Sequence, residues 1–109
     1  MVTMARQQPF TIVFDPAVKR HLRRIEPKYH SLIRATVRQQ VLHEPAVETR
    51  NRKPLLRPMP FGGEWELRFG PNNRFRVFYT VNVERRLVHV FAVGVKEGNR
   101  LFIGGEEFP

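Results

Sequence analysis

A phosphate could be held by the basic side chains of one stretch, which places Arg68, Arg74 and Arg76 beside Glu66, with Lys96 further along. A guanidinium group offers a planar fork of N–H donors that matches two phosphate oxygens at once. These residues stand in Trp65–Val81, where Trp65, Leu67 and Phe69 alternate with Glu66 and Arg68. After Gly70-Pro71-Asn72-Asn73, the residues Phe75, Val77, Tyr79 and Val81 alternate with Arg74, Arg76, Phe78 and Thr80. A period of two predicts two half-buried strands, and the intervening cluster predicts a tight turn. With the apolar positions on a core, Glu66, Arg68, Arg74 and Arg76 crowd the opposite face, which reads as a phosphate-binding surface. The alternative is an ordinary solvated strand face. Parity along the next strand puts Lys96 on the arginine side together with Ala92 and Gly94, whose small side chains would leave a groove floor there.

Charge narrows the class of partner. Among 109 residues there are 19 basic and 10 acidic side chains, a formal charge of +9, and all but four of the bases are arginine. Such an excess favours a polyanion or an acidic protein that masks the surface. The length suits one domain with one core, and the 41% hydrophobic content is that of a folded chain. There is no cysteine, so no disulfide framework or cysteine-bearing zinc site is available. No apolar run approaches the roughly 20 residues that span a bilayer, and Met1–Pro9 has no apolar core of a signal peptide. The expectation is a cytoplasmic protein with a flexible leader over residues 1–9 and a single domain over residues 10–109.

The elements that must position the charges follow in order. Phe10–Phe14 predicts a short strand dense in β-branched and aromatic residues. Asp15-Pro16 predicts a helix start, with a carboxylate to cap free amides and proline at the first helical position. Val18, Leu22 and Ile25 form its apolar stripe; Glu26-Pro27 ends it. A second helix from about Lys28 to His43 has Tyr29, Leu32, Ile33, Thr36, Val37, Gln40 and Val41 on one face, and Pro45 lies past its end. Residues 46–60 read as a loop rich in proline and arginine. Leu87–Val95 is nearly continuous apolar sequence, as for a central strand covered on both faces. The sum predicts an α+β domain: two N-terminal helices packed on one face of a mostly antiparallel four-stranded sheet, in the order strand, helix, helix, three-strand meander. His21 and His30 are expected to be exposed, and His89 to lie with Phe91 on the helix side. No spacing of His, Asp and Glu points to a metal site, and the glycines of the tail open no helix that would make a phosphate loop.

Taken together, the helix pair, "Trp65-Glu-Leu-Arg68", "Arg74-Phe-Arg76-Val-Phe-Tyr79" and "Val93-Gly94-Val95-Lys96" resemble the RelE/ParE superfamily of toxins from type II toxin–antitoxin systems. The resemblance extends from Phe10 to about Phe102. It implies a RelE-like toxin domain neutralised by a cognate antitoxin. RelE-like members are ribosome-dependent mRNA endoribonucleases, or mRNA interferases, which inhibit translation; ParE-like members act on DNA gyrase and are not nucleases. Fold alone does not choose between them, and a degenerate toxin that only binds antitoxin is the third possibility.

By the same resemblance, Arg76 matches an arginine that stabilises the scissile phosphate, Arg68 a basic residue of similar role, and Lys96 a cation near the leaving group. Glu66 stands where RelE has a lysine. Phe102 stands where RelE has a tyrosine that stacks on a substrate base, and it lacks the hydroxyl. Metal-independent cleavage by the 2′-OH needs a base, an acid and cations for the phosphoryl charge. Arg76 and Arg68 suit the last task, Glu66 the first, and Lys96 the departing oxygen; for Glu66 the alternative is a structural pair with the neighbouring arginines. Arg50, Arg52, Lys53 and Arg57 of the loop, with Arg74 and with Arg20, Arg23 and Arg24 of the first helix, are expected to meet RNA or rRNA phosphates. No cofactor, metal, membrane or small-molecule partner is expected. The antitoxin is expected to lay an acidic amphipathic segment over the arginine face or to displace the tail.

Overall fold

The computed structural model describes residues 8–109; residues 1–7 of the expected leader lie outside the described residues. Strand β1 (Thr11–Phe14) is followed by helix α1 (Ala17–Arg23), a short 3-10 turn (Pro27–Tyr29) and helix α2 (His30–Val41). Six strands complete the chain: β2 (Arg52–Pro54), β3 (Trp65–Phe69), β4 (Phe75–Asn82), β5 (Leu87–Glu97), β6 (Arg100–Ile103) and β7 (Glu106–Phe108). Asp15 begins α1 as its sequence requires, its Oδ1 accepting from the Ala17 N–H at 2.9 Å. That bond holds the Asp15 carboxyl below its ordinary range.

The expected four-stranded sheet with two N-terminal helices is corrected by this topology. All seven strands form one sheet, β2-β3-β4-β5-β6-β7, with β1 paired in parallel to β5, and a strand precedes the helices. Every other pairing is antiparallel. The added strands are too short to carry a period-two signal. β2 hides in the proline- and arginine-rich loop, and β6–β7 is a hairpin closed by Gly104 and Gly105, both at positive φ, where glycine adopts the left-handed backbone without strain.

Strand β5 organises the sheet. β4 lies along one of its edges, while β1 pairs with residues 87–90 and β6 with residues 94–97. β1 and β6 therefore share the other edge, leaving a gap at Phe91–Val93. His21 fills it: the Val93 N–H donates to its Nδ1 at 3.3 Å. His21 is buried rather than exposed, so its ring serves as the acceptor that a missing strand would have supplied.

The two helices cover one face of the sheet. Val18, Ile25, Ile33, Val37 and Val41 pack with Leu67, Phe69, Phe75, Val77, Tyr79, Val88, Val90 and Val93, and each such side chain contributes roughly 1.5–3 kcal/mol on burial. Tyr79 satisfies its hydroxyl inside this core by donating to the Pro45 carbonyl at 2.8 Å; burial raises its pKa. A bulge between Phe78 and Tyr79 makes Phe78 pair with Ala92 and Tyr79 with Val90. It reverses the parity of β5, so His89 and Phe91 leave the helix side expected for them. Their rings stack at 4.0 Å between centroids, and His89 Nε2 lies 3.4 Å from Asp15 Oδ2.

Candidate functional site

On the face away from the helices, the register sets Arg68 directly across from Arg76, and Arg76 across from Gly94. Glu66 joins the two guanidinium groups. Arg68 Nε donates to its Oε1 at 2.6 Å, and Arg76 Nη1 donates to its Oε2 at 3.3 Å. Arg76 is fixed a second way, through Nε to the Asn73 carbonyl at 3.0 Å. That carbonyl is aimed by a turn in which Asn72 and Asn73 both take positive φ, a conformation asparagine tolerates. The side chains of Arg76 and Glu66 are 12% and 10% exposed, and Arg68 is 43% exposed. A guanidinium has five N–H donors, so the bonds to Glu66 and Asn73 leave donors on both arginines for an incoming anion.

Lys96 extends this charge onto β5. Its backbone N–H donates to the Arg74 carbonyl at 2.7 Å, and with Arg74, Arg76, Asn72, Glu97 and Gly98 it lines a cleft of about 610 Å³. Among the described residues no carboxylate lies within 4.0 Å of the Lys96 ammonium. Arg74 bends away from the face that parity gave it: its guanidinium carbon lies 5.7 Å from the Tyr29 ring and 5.5 Å from the Phe75 ring. It stands at the end of the sheet, between cleft and helix side.

Other expected members lie elsewhere. Phe102 pairs with Val95, which packs on the helix-side core, so its ring is on the opposite side of the sheet from Arg68, Arg76 and Lys96. Arg52, expected on a docking surface, is buried. It donates to the carbonyls of Val47 (3.0 Å) and Gln40 (2.5 Å) and to Gln40 Oε1 (3.1 Å), which ties β2 to the end of α2. Lys53 pairs with Glu48 at 3.2 Å, while Arg50, Arg57, Arg20, Arg23 and Arg24 are exposed. The expected groove floor is filled. A Cβ built on Gly94 would lie 3.0 Å from Leu101 and 3.1 Å from Ile103, and Phe78 sits beneath Phe61, which also meets Phe108. The hairpin end of this face stays polar. Sequence reasoning missed Asn73, whose role is played by a backbone carbonyl, and His21, whose role depends on a strand gap; neither leaves a signal in the chain.

Among the described residues no group of three His, Cys, Asp or Glu side chains is placed to hold a metal, and no helix is long and apolar enough to cross a membrane. Two short helices lie on one face of a mostly antiparallel sheet, and arginines pair across its hairpin on the other face. The structure is similar to a chain of the RelBE2 toxin–antitoxin complex from Mycobacterium tuberculosis, with 25% sequence identity and a TM-score of 0.57 over 81% of this chain and 99% of that one. No protein-family model matches the chain, and no curated protein matches it. The likeness supports a RelE-like toxin.

Proposed function

We propose that the chain is the toxin of a type II toxin–antitoxin module and acts as a ribosome-dependent mRNA endoribonuclease, held inactive by an antitoxin. The observation that carries the reading is the pair Arg68 and Arg76, set opposite each other, bridged by Glu66 and continued by Lys96 into an open cleft. In the reaction a 2′-OH attacks the adjacent phosphorus, a 2′,3′-cyclic phosphate forms and the bond to the 5′-oxygen breaks. Arg76 and Arg68 bind the non-bridging oxygens as charge gathers on them. Glu66 takes the 2′-OH proton, and Lys96 stabilises the departing oxygen, which takes up a proton as it leaves. The likeness to a chain of a toxin–antitoxin complex favours an antitoxin partner, and mRNA and ribosomal RNA are the polyanions suited to the +9 charge.

Two observations favour a second reading, a ParE-like toxin acting on gyrase: Glu66 already engages both arginines, and Phe102 lies on the other side of the sheet. The test is expression under tight control, with mRNA 5′ ends mapped in translating cells. Codon-phased cuts that vanish with Arg76→Ala support the nuclease; intact message with gyrase-linked DNA breaks supports the second reading.

A further inference from the structure

The two arginines of the hairpin are held in different ways. Arg76 is fixed through its guanidinium, by Glu66 and by the Asn73 carbonyl. The guanidinium of Arg68 has one hydrogen bond among the described residues, to Glu66. A long side chain with a single bond depends on where its backbone puts it. That backbone is gripped by one residue outside the strands, Asn51. The Arg68 N–H donates to the Asn51 carbonyl at 2.8 Å, and the Asn51 side-chain Nδ2 donates to the Arg68 carbonyl at 2.8 Å.

The register shows what Asn51 replaces. β2 begins at Arg52, which pairs with Leu67, so the next position along β3 has no strand residue beside it. In a regular antiparallel ladder the Asn51 N–H would donate to the Arg68 carbonyl. It turns instead to Thr49 Oγ1 at 3.2 Å, and the side-chain amide takes its place. Thr49 Oγ1 also accepts from the Arg52 N–H at 3.0 Å, and the Thr49 N–H donates to the Arg52 carbonyl at 2.9 Å. Buried Arg52 ties this turn to Val47 and to Gln40 at the end of α2. With its N–H spent toward β2, Arg68 shares no backbone bond with Arg76 across β3 and β4. Such a pair is the kind whose side chains stand closest.

We infer that Asn51 is the positioning residue of the site. Through the peptide groups of Arg68 it sets that guanidinium against Glu66 and beside Arg76, so that a phosphate meets two forks rather than one. Asparagine suits the task because one short residue supplies both a backbone acceptor and a side-chain donor. The consequence for RNA rests on the proposed nuclease reading; the placement of Arg68 does not.

The test joins NMR of the full chain, reading arginine Nε–H exchange with water, to RNA anisotropy in Asn51→Ala, Arg68→Ala and the double variant. In Asn51→Ala the Arg68 Nε–H is expected to exchange faster, while the Arg52 Nε–H keeps its protection. Arg68→Ala weakens binding of a short RNA by about tenfold, the loss of one charge-assisted contact, and lowers the slope of log K against log salt by about 0.7. Asn51→Ala gives part of both effects, about threefold in affinity, and the double variant is no weaker than Arg68→Ala. Where Asn51→Ala does not fold, Asn51→Asp keeps the side-chain shape, removes the donor and gives the same exchange readout. Equal quickening at Arg52 would mean a loosened β2 and overturn the inference. So would a loss in the double variant equal to the product of the two single losses. A chain that binds no RNA yet shows the Arg68 response refutes the nuclease reading and leaves Asn51 in its positioning role.

Discussion

Glu66 is the most informative residue to change, because its carboxylate both holds the arginines and competes with any phosphate for them. Glu66→Gln keeps the shape and removes the charge, leaving two register-paired guanidinium groups facing each other. Removing one partner of a fully buried ion pair costs roughly 3–5 kcal/mol. Arg68 is 43% exposed and screened by water, while Arg76 is 12% exposed, so the discounted cost is about 1–2 kcal/mol. For a domain of this size that lowers Tm by about 4–10 °C. RNA affinity moves the other way: with a competing anion gone, binding tightens and the slope of log K against log salt steepens by about 0.7. Cleavage falls with the loss of the proposed base. Thermal unfolding and fluorescence anisotropy with a short RNA at several salt concentrations read both effects. Unchanged Tm together with unchanged RNA affinity would refute the claim that Glu66 organises the arginines.

The buried residues give further expectations. Burial, helped by Arg20, pushes the His21 imidazole below its ordinary pKa of 6.5. The unfolded chain then binds the proton more readily, so stability is full above about pH 7 and falls as pH drops through 6.5 toward the folded value. His21→Gln, which keeps an acceptor for the Val93 N–H, flattens that decline in chemical denaturation series, and an unaltered profile would count against the gap-filling role. Arg52→Ala leaves the carbonyls of Gln40 and Val47 without their donor and costs about 2–4 kcal/mol in urea unfolding. Arg57→Ala stays within about 0.5 kcal/mol yet makes RNA binding less dependent on salt; equal stability losses in the two would contradict the division between strut and docking residue.

Legibility in the sequence followed the length of the element. β3, β4 and β5 alternate long enough for parity to place Glu66, Arg68, Arg76 and Lys96 on one face, and Asp15-Pro16 marked the start of α1. What failed was set by single residues. One bulge at Phe78/Tyr79 moved His89 and Phe91 across the sheet, and the three-residue strands β2 and β7 have no period to read. Arg52 looks in sequence like its neighbours Arg50 and Arg57; only the meeting of β2 with the end of α2, remote in the chain, buries it. Leu101–Ile103 can be read as a short strand, but the face of Phe102 follows the register of β6 on β5, which the tail does not announce.

The proposed nuclease depends on Arg76 and its neighbours holding the scissile phosphate of a message. Purified protein added to ribosomes programmed with a defined mRNA tests it most directly, by chemical analysis of the fragment ends. The expected ends are 2′,3′-cyclic phosphate upstream and 5′-hydroxyl downstream, absent with Arg76→Ala. A message left intact by the wild-type chain, or cut equally well by Arg76→Ala, would contradict it.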